Sequence, residues 1–256
     1  MALILKKGLG QHFLHDENMC RKIVDSLQVF PGLRLLEVGP GGGAITKYLL
    51  SLQNVEYKAV EIDQEKVDYL IANYPSIQSK IIHQDVLKLT VPFEHNFSVI
   101  GNFPYNISSQ ILFKILEWEP KVDEVIGMFQ KEVAQRVAAA SGSKAYGILS
   151  VLMQAFFEVN YLFDVPAACF TPPPKVVSGV LRLTNAHNPF QIEHKKLFVQ
   201  LVKQSFAQRR KMLRNGLKGM FPAEILAEEL FSKRAEQLKV EQFVLLYRRL
   251  IALRDE

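Results

Sequence analysis

Four stretches of the sequence place ligand-capable residues at the ends of apolar runs. In "LLEVGPGGGAITKYLL" the run passes into Gly39-Pro40-Gly41-Gly42-Gly43 and then into a helix-like pattern. Glycines here let the backbone turn tightly and come close to a ligand, and the opening turn of the next helix leaves N–H donors free. Glu61 lies 22 residues after Gly39, at the end of "YKAVEI", where a carboxylate can accept both hydrogen bonds of a ribose diol. A Gly-rich loop alone is a weak signal, and a lone acid at this point also reads as a helix cap. Loop and acid together point to a nucleoside-type ligand. The pattern is E-x-G-x-G and not the dinucleotide G-x-G-x-x-G, which favours an adenosyl group without a pyrophosphate. Asp85 in "HQDVLKL" ends the third run and could accept from an adenine amino group. The fourth run ends in "GNFPYN", an amide (Asn102) followed by Phe103-Pro104-Tyr105, with almost nothing nearby in the sequence for the aromatic residues to pack against.

The elements that must position these residues alternate as in an open, mostly parallel sheet flanked by helices. Strands are expected at 33–39, 55–62, 80–83, 97–101, 124–130 and 178–184, with amphipathic helices at 44–53, 64–73, 107–117 and 131–140. The run 147–163 reads equally as a helix or as a helix leading into a strand, because periodicity alone does not separate the two. The ligand-capable residues then share the carboxyl edge of the sheet, where open α/β folds bind ligands. After Thr184 the turn residues "NAHNP" end the pattern, and no further strand is expected. This divides the chain into residues 1–187 and a small all-helical domain, 188–256.

Composition excludes several classes. With 256 residues, 48% hydrophobic and 22% charged, the chain is neither disordered nor fibrous. Only five apolar residues precede Lys6 and Lys7, too few for a signal peptide, and no apolar run reaches the roughly 18 residues of a membrane span. A cytoplasmic location is expected. Cys20 and Cys169 fit no metal-ligand spacing and read as buried thiols, so no metal is expected. The net charge of +5 is uneven: residues 1–190 carry 17 Lys and Arg against 18 acids, and residues 191–256 carry 14 against 8. Within 191–220 eight basic residues face the single acid Glu193. Such a run is either a solvated helix face or a phosphate-binding patch.

End to end, the chain resembles the S-adenosylmethionine-dependent ribosomal RNA adenine N6-dimethyltransferases. "GLGQHFLHD", "EVGPGGGAIT", "VEID", "QDVLKL", "GNFPYNIS", "FQKEVAQRV", "SKAYGILSV", "FTPPPKVVSG" and "SFAQRRKMLRNGL" occur in that family's order and at about its spacing. The resemblance implies a Rossmann-like class I methyltransferase domain followed by the helical domain. It implies that S-adenosylmethionine is held by Gln11, His12, Leu14, Gly39, Gly41, Glu61, Ile62, Asp85, Val86 and Asn102. His12 stands where many members have Asn, and Phe103 where they commonly have Leu. It further implies that the Asn102 side chain and the Phe103 main chain accept the two adenine N6 hydrogens, with Tyr105 and Phe170 as walls of a base clamp. Lys175, Arg209, Arg210, Lys211 and Arg214 are the expected RNA contacts. The implied reaction is dimethylation of two adjacent adenines near the 3′ end of small-subunit ribosomal RNA in a pre-30S-type particle, by a monomer. Two alternatives stand beside it: a resistance-type enzyme acting on large-subunit RNA, and an assembly factor that uses the same fold with little turnover.

Overall fold

The structure, a computed structural model, describes residues 12–255. In its first half the chain runs β1 (Phe13–Leu14), α1 (Glu17–Asp25), β2 (Arg34–Val38), α2 (Thr46–Leu49), β3 (Glu56–Glu61), α3 (Gln64–Asn73), β4 (Ile81–His83) and β5 (Phe97–Asn102). It continues with α4 (Ser108–Trp118), β6 (Val122–Gln130), α5 (Lys131–Val137), α6 (Ile148–Phe156), β7 (Phe157–Val165), β8 (Phe170–Thr171) and β9 (Ser178–Asn185). Helices α7 (Lys195–Ala207), α8 (Leu213–Gly216), α9 (Ala223–Leu226) and α10 (Val240–Asp255) follow.

Seven strands form one sheet in the order β4-β3-β2-β5-β6-β9-β7. The pairs β4/β3, β3/β2, β2/β5 and β5/β6 are parallel, and β9 lies antiparallel to β6. From β2 the chain first builds outward through β3 and β4, then returns to place β5 on the other side of β2. The strand order therefore reverses between β2 and β5, and a crevice opens at their carboxyl ends. Strand β5 is buried in five of its six residues, as expected for a strand covered on both faces. Helix α4 buries Ile111, Leu112, Ile115, Leu116 and Trp118, the spacing of one helix face, and Trp118 lies edge-on to Phe97 of β5 with ring centroids 6.0 Å apart. At the start of α1, Asp16 accepts from the Met19 N–H at 2.8 Å, and at α3 Asp63 accepts from Glu65 N–H at 3.2 Å; both are N-caps with an acid in the first turn. Cys20 and Cys169 are free, buried thiols.

The expected class is the one observed: a mostly parallel sheet flanked by helices, then helices alone among the described residues after Asn185. The 147–163 run is a helix leading into a strand, one of the two readings left open for it: α6 is followed by β7, and the change falls where polar residues begin to interrupt the apolar ones at Glu158, Asn160 and Asp164. Two details differ from the sequence reading. The helix expected over 44–53 is shortened to Thr46–Leu49. The chain also divides into two compact units in a way that no single boundary describes. One takes the described residues up to Ala134 together with Val159–Asn185, and the other takes Gln135–Glu158 with the residues from Ala186 onward. The helical unit thus includes α6, whose residues Leu149, Val151, Leu152 and Phe156 are buried. Phe156 packs edge-on against Phe198 of α7, with ring centroids 6.2 Å apart.

Candidate active site at the carboxyl edge

The crevice at the strand-order reversal is a cavity of about 240 Å³. The loop after β2 forms one side. Gly39 and Gly41 have φ of +68° and +57°, a region that costs a residue with a Cβ roughly 1–2 kcal/mol. Gly41 N–H points at Glu61 and donates to its Oε2 at 3.2 Å. Glu61 Oε1 accepts from the N–H groups of Ile62 and Asp63 at 2.9 and 3.1 Å. Three backbone donors thus hold a carboxylate only 6% exposed, filling three of the roughly four lone-pair directions that it offers. One direction on Oε2 is left for a ligand hydroxyl, so a second hydroxyl would have to compete with Gly41. Ile62, 53% exposed, and Val86 give the cavity apolar surface beside Asp85. Asp85 turns its own chain by accepting from Leu87 N–H at 2.9 Å.

Glu37, the acid of the E-x-G-x-G pattern, was given no role of its own in the sequence reading. It lines the cavity and is fully buried. Thr46 donates to its Oε1 at 3.0 Å and the Tyr57 hydroxyl donates to its Oε2. Burial pushes the Glu37 carboxyl up to about 7, against the two hydroxyls, which favour its charged form. Its signal in the sequence was a charged residue inside an otherwise apolar strand, "LLEVG".

The end of β5 forms the other side. Asn102, Pro104 and Tyr105 are half-buried, and all line the cavity. The Asn102 amide reaches the main-chain oxygen of His12 in a long contact of 3.5 Å. His12 donates from Nδ1 to the Pro172 carbonyl at 2.8 Å, and its ring stacks on Tyr105 with centroids 5.9 Å apart and planes 30° from parallel. The Tyr105 hydroxyl pairs with Ser178 Oγ at 2.5 Å, and burial raises its pKa. The histidine at position 12 therefore lines the cavity and touches both Asn102, through its main chain, and Tyr105, through its ring. Of the expected cofactor residues, Gln11 lies outside the described residues, and the others line this one cavity.

Two expectations need correction. Phe103 is fully buried rather than unpacked, with its ring edge-on to Phe129 at 5.1 Å. Phe170 is 2% exposed and is not part of the cavity lining. It belongs to β8, opposite Leu14 of β1, and its ring sits in the core cluster with Leu14 and Cys169. The ring that faces Tyr105 is that of His12.

The basic residues divide by their partners. Lys175, Arg210 and Lys211 are exposed. Arg209 is engaged within the helical unit: Nε donates to Glu236 at 2.9 Å and Nη2 to the carbonyls of Lys144 and Tyr146 at 2.6 and 3.2 Å. Arg214 is half-buried, and its Nε has no hydrogen-bond partner among the described residues. Arg209 is therefore a tie between "SKAYG" and "SFAQRRK" in this structure.

Two outcomes follow from these placements. Arg209→Gln should lower thermal stability by about 1–2 kcal/mol, because it removes hydrogen bonds from a charged donor, whereas Arg210→Gln and Lys211→Gln should stay within about 0.5 kcal/mol of the parent. Glu37 is neutral in the fold up to about pH 7, while in the unfolded chain it ionises near its ordinary value. Its stabilising contribution is therefore complete at low pH and is lost as pH rises through 7. Glu37→Gln should gain stability relative to the parent by about 3 kcal/mol between pH 4.5 and pH 8, read by urea unfolding at both pH values. A difference that stays flat with pH would show that Glu37 is ionised in the fold.

Residues 3–252 match the family described as ribosomal RNA adenine dimethylase. The ribosomal RNA small subunit methyltransferase A of Flavobacterium johnsoniae is 49% identical over 251 residues, which span 96% of each chain. Its counterpart from Porphyromonas gingivalis is 43% identical over 252 residues, 96% of this chain and 97% of that one. Among solved structures, a dimethyladenosine transferase from Plasmodium falciparum superposes with a TM-score of 0.80 at 24% identity, over 93% of this chain and 98% of the other. The 23S rRNA methyltransferase ErmE gives a TM-score of 0.72 at 24% identity, over 93% and 99%. At such identity these two structures speak for the fold, and the sequence matches speak for the family. The chain belongs to the ribosomal RNA adenine dimethylase family.

Proposed function

We propose that the protein dimethylates N6 of two adjacent adenosines in a 3′-terminal hairpin loop of small-subunit, 16S-type ribosomal RNA, acting as a monomer on a pre-30S-type particle in the cytoplasm. It is an S-adenosylmethionine-dependent rRNA adenine dimethyltransferase. One observation carries the reading of the site: the glycine loop with Glu61, and Asn102 with Tyr105, meet in a single cavity at the strand-order reversal.

The residues present suit S-adenosylmethionine. Glu61 keeps one acceptor direction for a ribose hydroxyl, Asp85 offers a carboxylate for an adenine amino group, Ile62 and Val86 offer apolar contact to a purine, and the loop turns where only glycine is unstrained. When bound, the cofactor supplies an electrophilic methyl group on a sulfonium. The remaining work falls to the protein. An adenine N6 lone pair is delocalised into the ring, so the nitrogen is a poor nucleophile until its hydrogens are held out of plane. The Asn102 side-chain oxygen accepts one of these hydrogens. Phe103, whose ring is committed to the core, offers its main-chain oxygen for the other. Such fixed dipoles lower the barrier because they need no reorganisation during the reaction. Tyr105 supplies a stacking face worth about 1–3 kcal/mol per base, and its hydroxyl bond to Ser178 holds that face in place. The methylated amine is acidic enough to lose its proton to water, so no strong base is required.

RNA binding is assigned to the exposed Lys175, Arg210 and Lys211 and to the half-buried Arg214. Replacing Arg210 and Lys211 by Gln should flatten the salt dependence of subunit binding by up to about 0.7–0.9 log units per lost phosphate contact.

The deciding experiment offers labelled cofactor to small subunits lacking the modification and, in parallel, to large-subunit RNA. Transfer to the small subunit alone, with dimethyladenosine as the end product, is the expected result. Transfer to large-subunit RNA would redirect the proposal, and tight subunit binding without transfer would make the protein an assembly factor. Asn102→Ala should slow single-turnover transfer by roughly 10²–10³ at saturating cofactor. Glu61→Ala should weaken cofactor binding by about 1.5–3 kcal/mol in calorimetry.

A further inference from the structure

Gly101 and Gly127 stand directly opposite each other on the paired parallel strands β5 and β6. Each opens the same short pattern, Ile100-Gly101-Asn102-Phe103 and Ile126-Gly127-Met128-Phe129. Because side chains alternate along a strand, position 103 projects to the same face as position 101. There the Phe103 ring covers both glycines. A Cβ on Gly101 would stand 2.8 and 3.0 Å from its Cε1 and Cδ1, and a Cβ on Gly127 would stand 2.6 Å from its Cε2. Phe129 closes the far side, 2.6 Å from the same Gly127 position and edge-on to Phe103 at 69°. Phe103 N–H donates to the Met128 carbonyl at 3.2 Å. An aromatic ring laid over a cross-strand glycine fixes strand register and seats the ring. Here the seated ring belongs to the residue that follows Asn102.

We propose that Gly127 is a positioning residue for methyl transfer: with Gly101 it leaves a slot free of side chains that seats the Phe103 ring, and the seated ring sets the Asn102 amide and the Phe103 carbonyl against the target adenine. This rests on the reading of those two oxygens as the N6 acceptors. Gly101 cannot test it, because a Cβ there would also stand 2.5 Å from the Val38 main-chain oxygen and would displace β2 itself. Gly127 meets only side-chain rings, so a smaller residue at 103 can relieve the clash.

The test is a double-mutant cycle on the full chain, using Gly127→Ala, Phe103→Leu and the pair, with Asn102→Ala alongside. Single-turnover transfer to unmodified small subunits and the calorimetric affinity for S-adenosylmethionine are both read. Gly127→Ala should slow transfer by about 10- to 100-fold while cofactor affinity stays within about twofold, since a small misplacement of the reacting groups acts on the rate. Phe103→Leu alone should cost less than about tenfold, because the main-chain oxygen remains, and in the Gly127→Ala background it should recover at least about fivefold. The ratio of monomethyl to dimethyl product should rise in Gly127→Ala and fall again in the pair. If Gly127→Ala fails to fold, Phe103→Ala carries the test: a loss of about tenfold or more with cofactor affinity retained supports the seat, and an unchanged rate overturns it. A Gly127→Ala rate within about twofold of the parent, or a pair no faster than Gly127→Ala, also overturns it. If Asn102→Ala leaves the rate unchanged, the reading of the turn fails and takes this inference with it; if Asn102→Ala is slow while the cycle shows no coupling, the inference alone fails.

Discussion

A single carboxylate shapes the cofactor side of the site. Glu61 ends β3, and its two oxygens collect N–H groups from Ile62 and Asp63 on its own strand end and from Gly41 on the neighbouring loop. The Asp63 N–H is a buried donor, and leaving such a donor unmet costs about 1–3 kcal/mol. By accepting from Gly41, the carboxylate draws the glycine loop over the carboxyl end of β3 and holds it in the positive-φ conformation that Gly39 and Gly41 alone can take without strain. The same oxygens stay nearly buried yet retain one acceptor direction for a ligand. In the proposed reading, loop shape and ligand recognition are therefore the work of one group.

The other side of the site depends on strand order. Because β5 returns to the far side of β2, Asn102 reaches the crevice that the glycine loop borders. The two sides are neighbours there: a Cβ on Gly39 would be in ordinary van der Waals contact with Pro104 Cδ, at 3.8 Å. The turn after β5 is anchored from beneath by the Phe103 ring and from its outer side by Tyr105, which bonds Ser178 and stacks on His12. The first anchor comes from β6 and the hydroxyl bond of the second from β9, so the turn rests on the sheet rather than on a free loop. In the proposed reading, groups held in this way lose little freedom when a base arrives, which is the condition for a positional contribution to rate.

The sequence was most legible where the signal is local. Strand ends followed by glycine or by a carboxylate marked the crevice, and the apolar runs located six strands of the sheet to within a few residues. The misreadings share a cause, which is partners distant in the chain. Phe103 looked unpacked because its slot is made by Gly127 and Phe129, more than twenty residues on. Phe170 looked available for a base because its burial depends on pairing with the two-residue strand at Leu14, too short for any periodicity to reveal. The internal ties of Arg209 were hidden for the same reason, because Glu236 and the carbonyls of Lys144 and Tyr146 lie 27 to 65 residues away. Glu37 was visible as a charge in an apolar strand, but only the hydroxyls of Thr46 and Tyr57 show how it is tolerated.

If Glu61 builds the glycine loop before the cofactor arrives, amide hydrogen exchange of Gly41, Ile62 and Asp63 in the cofactor-free protein shows it directly. All three amides should exchange at least about a hundredfold more slowly than in a free chain, and Glu61→Ala should release Gly41 while the centre of β5 stays protected. Free-chain exchange at these amides that slows only when S-adenosylmethionine is added would contradict it, and would mean that the ligand, not the carboxylate, forms the loop.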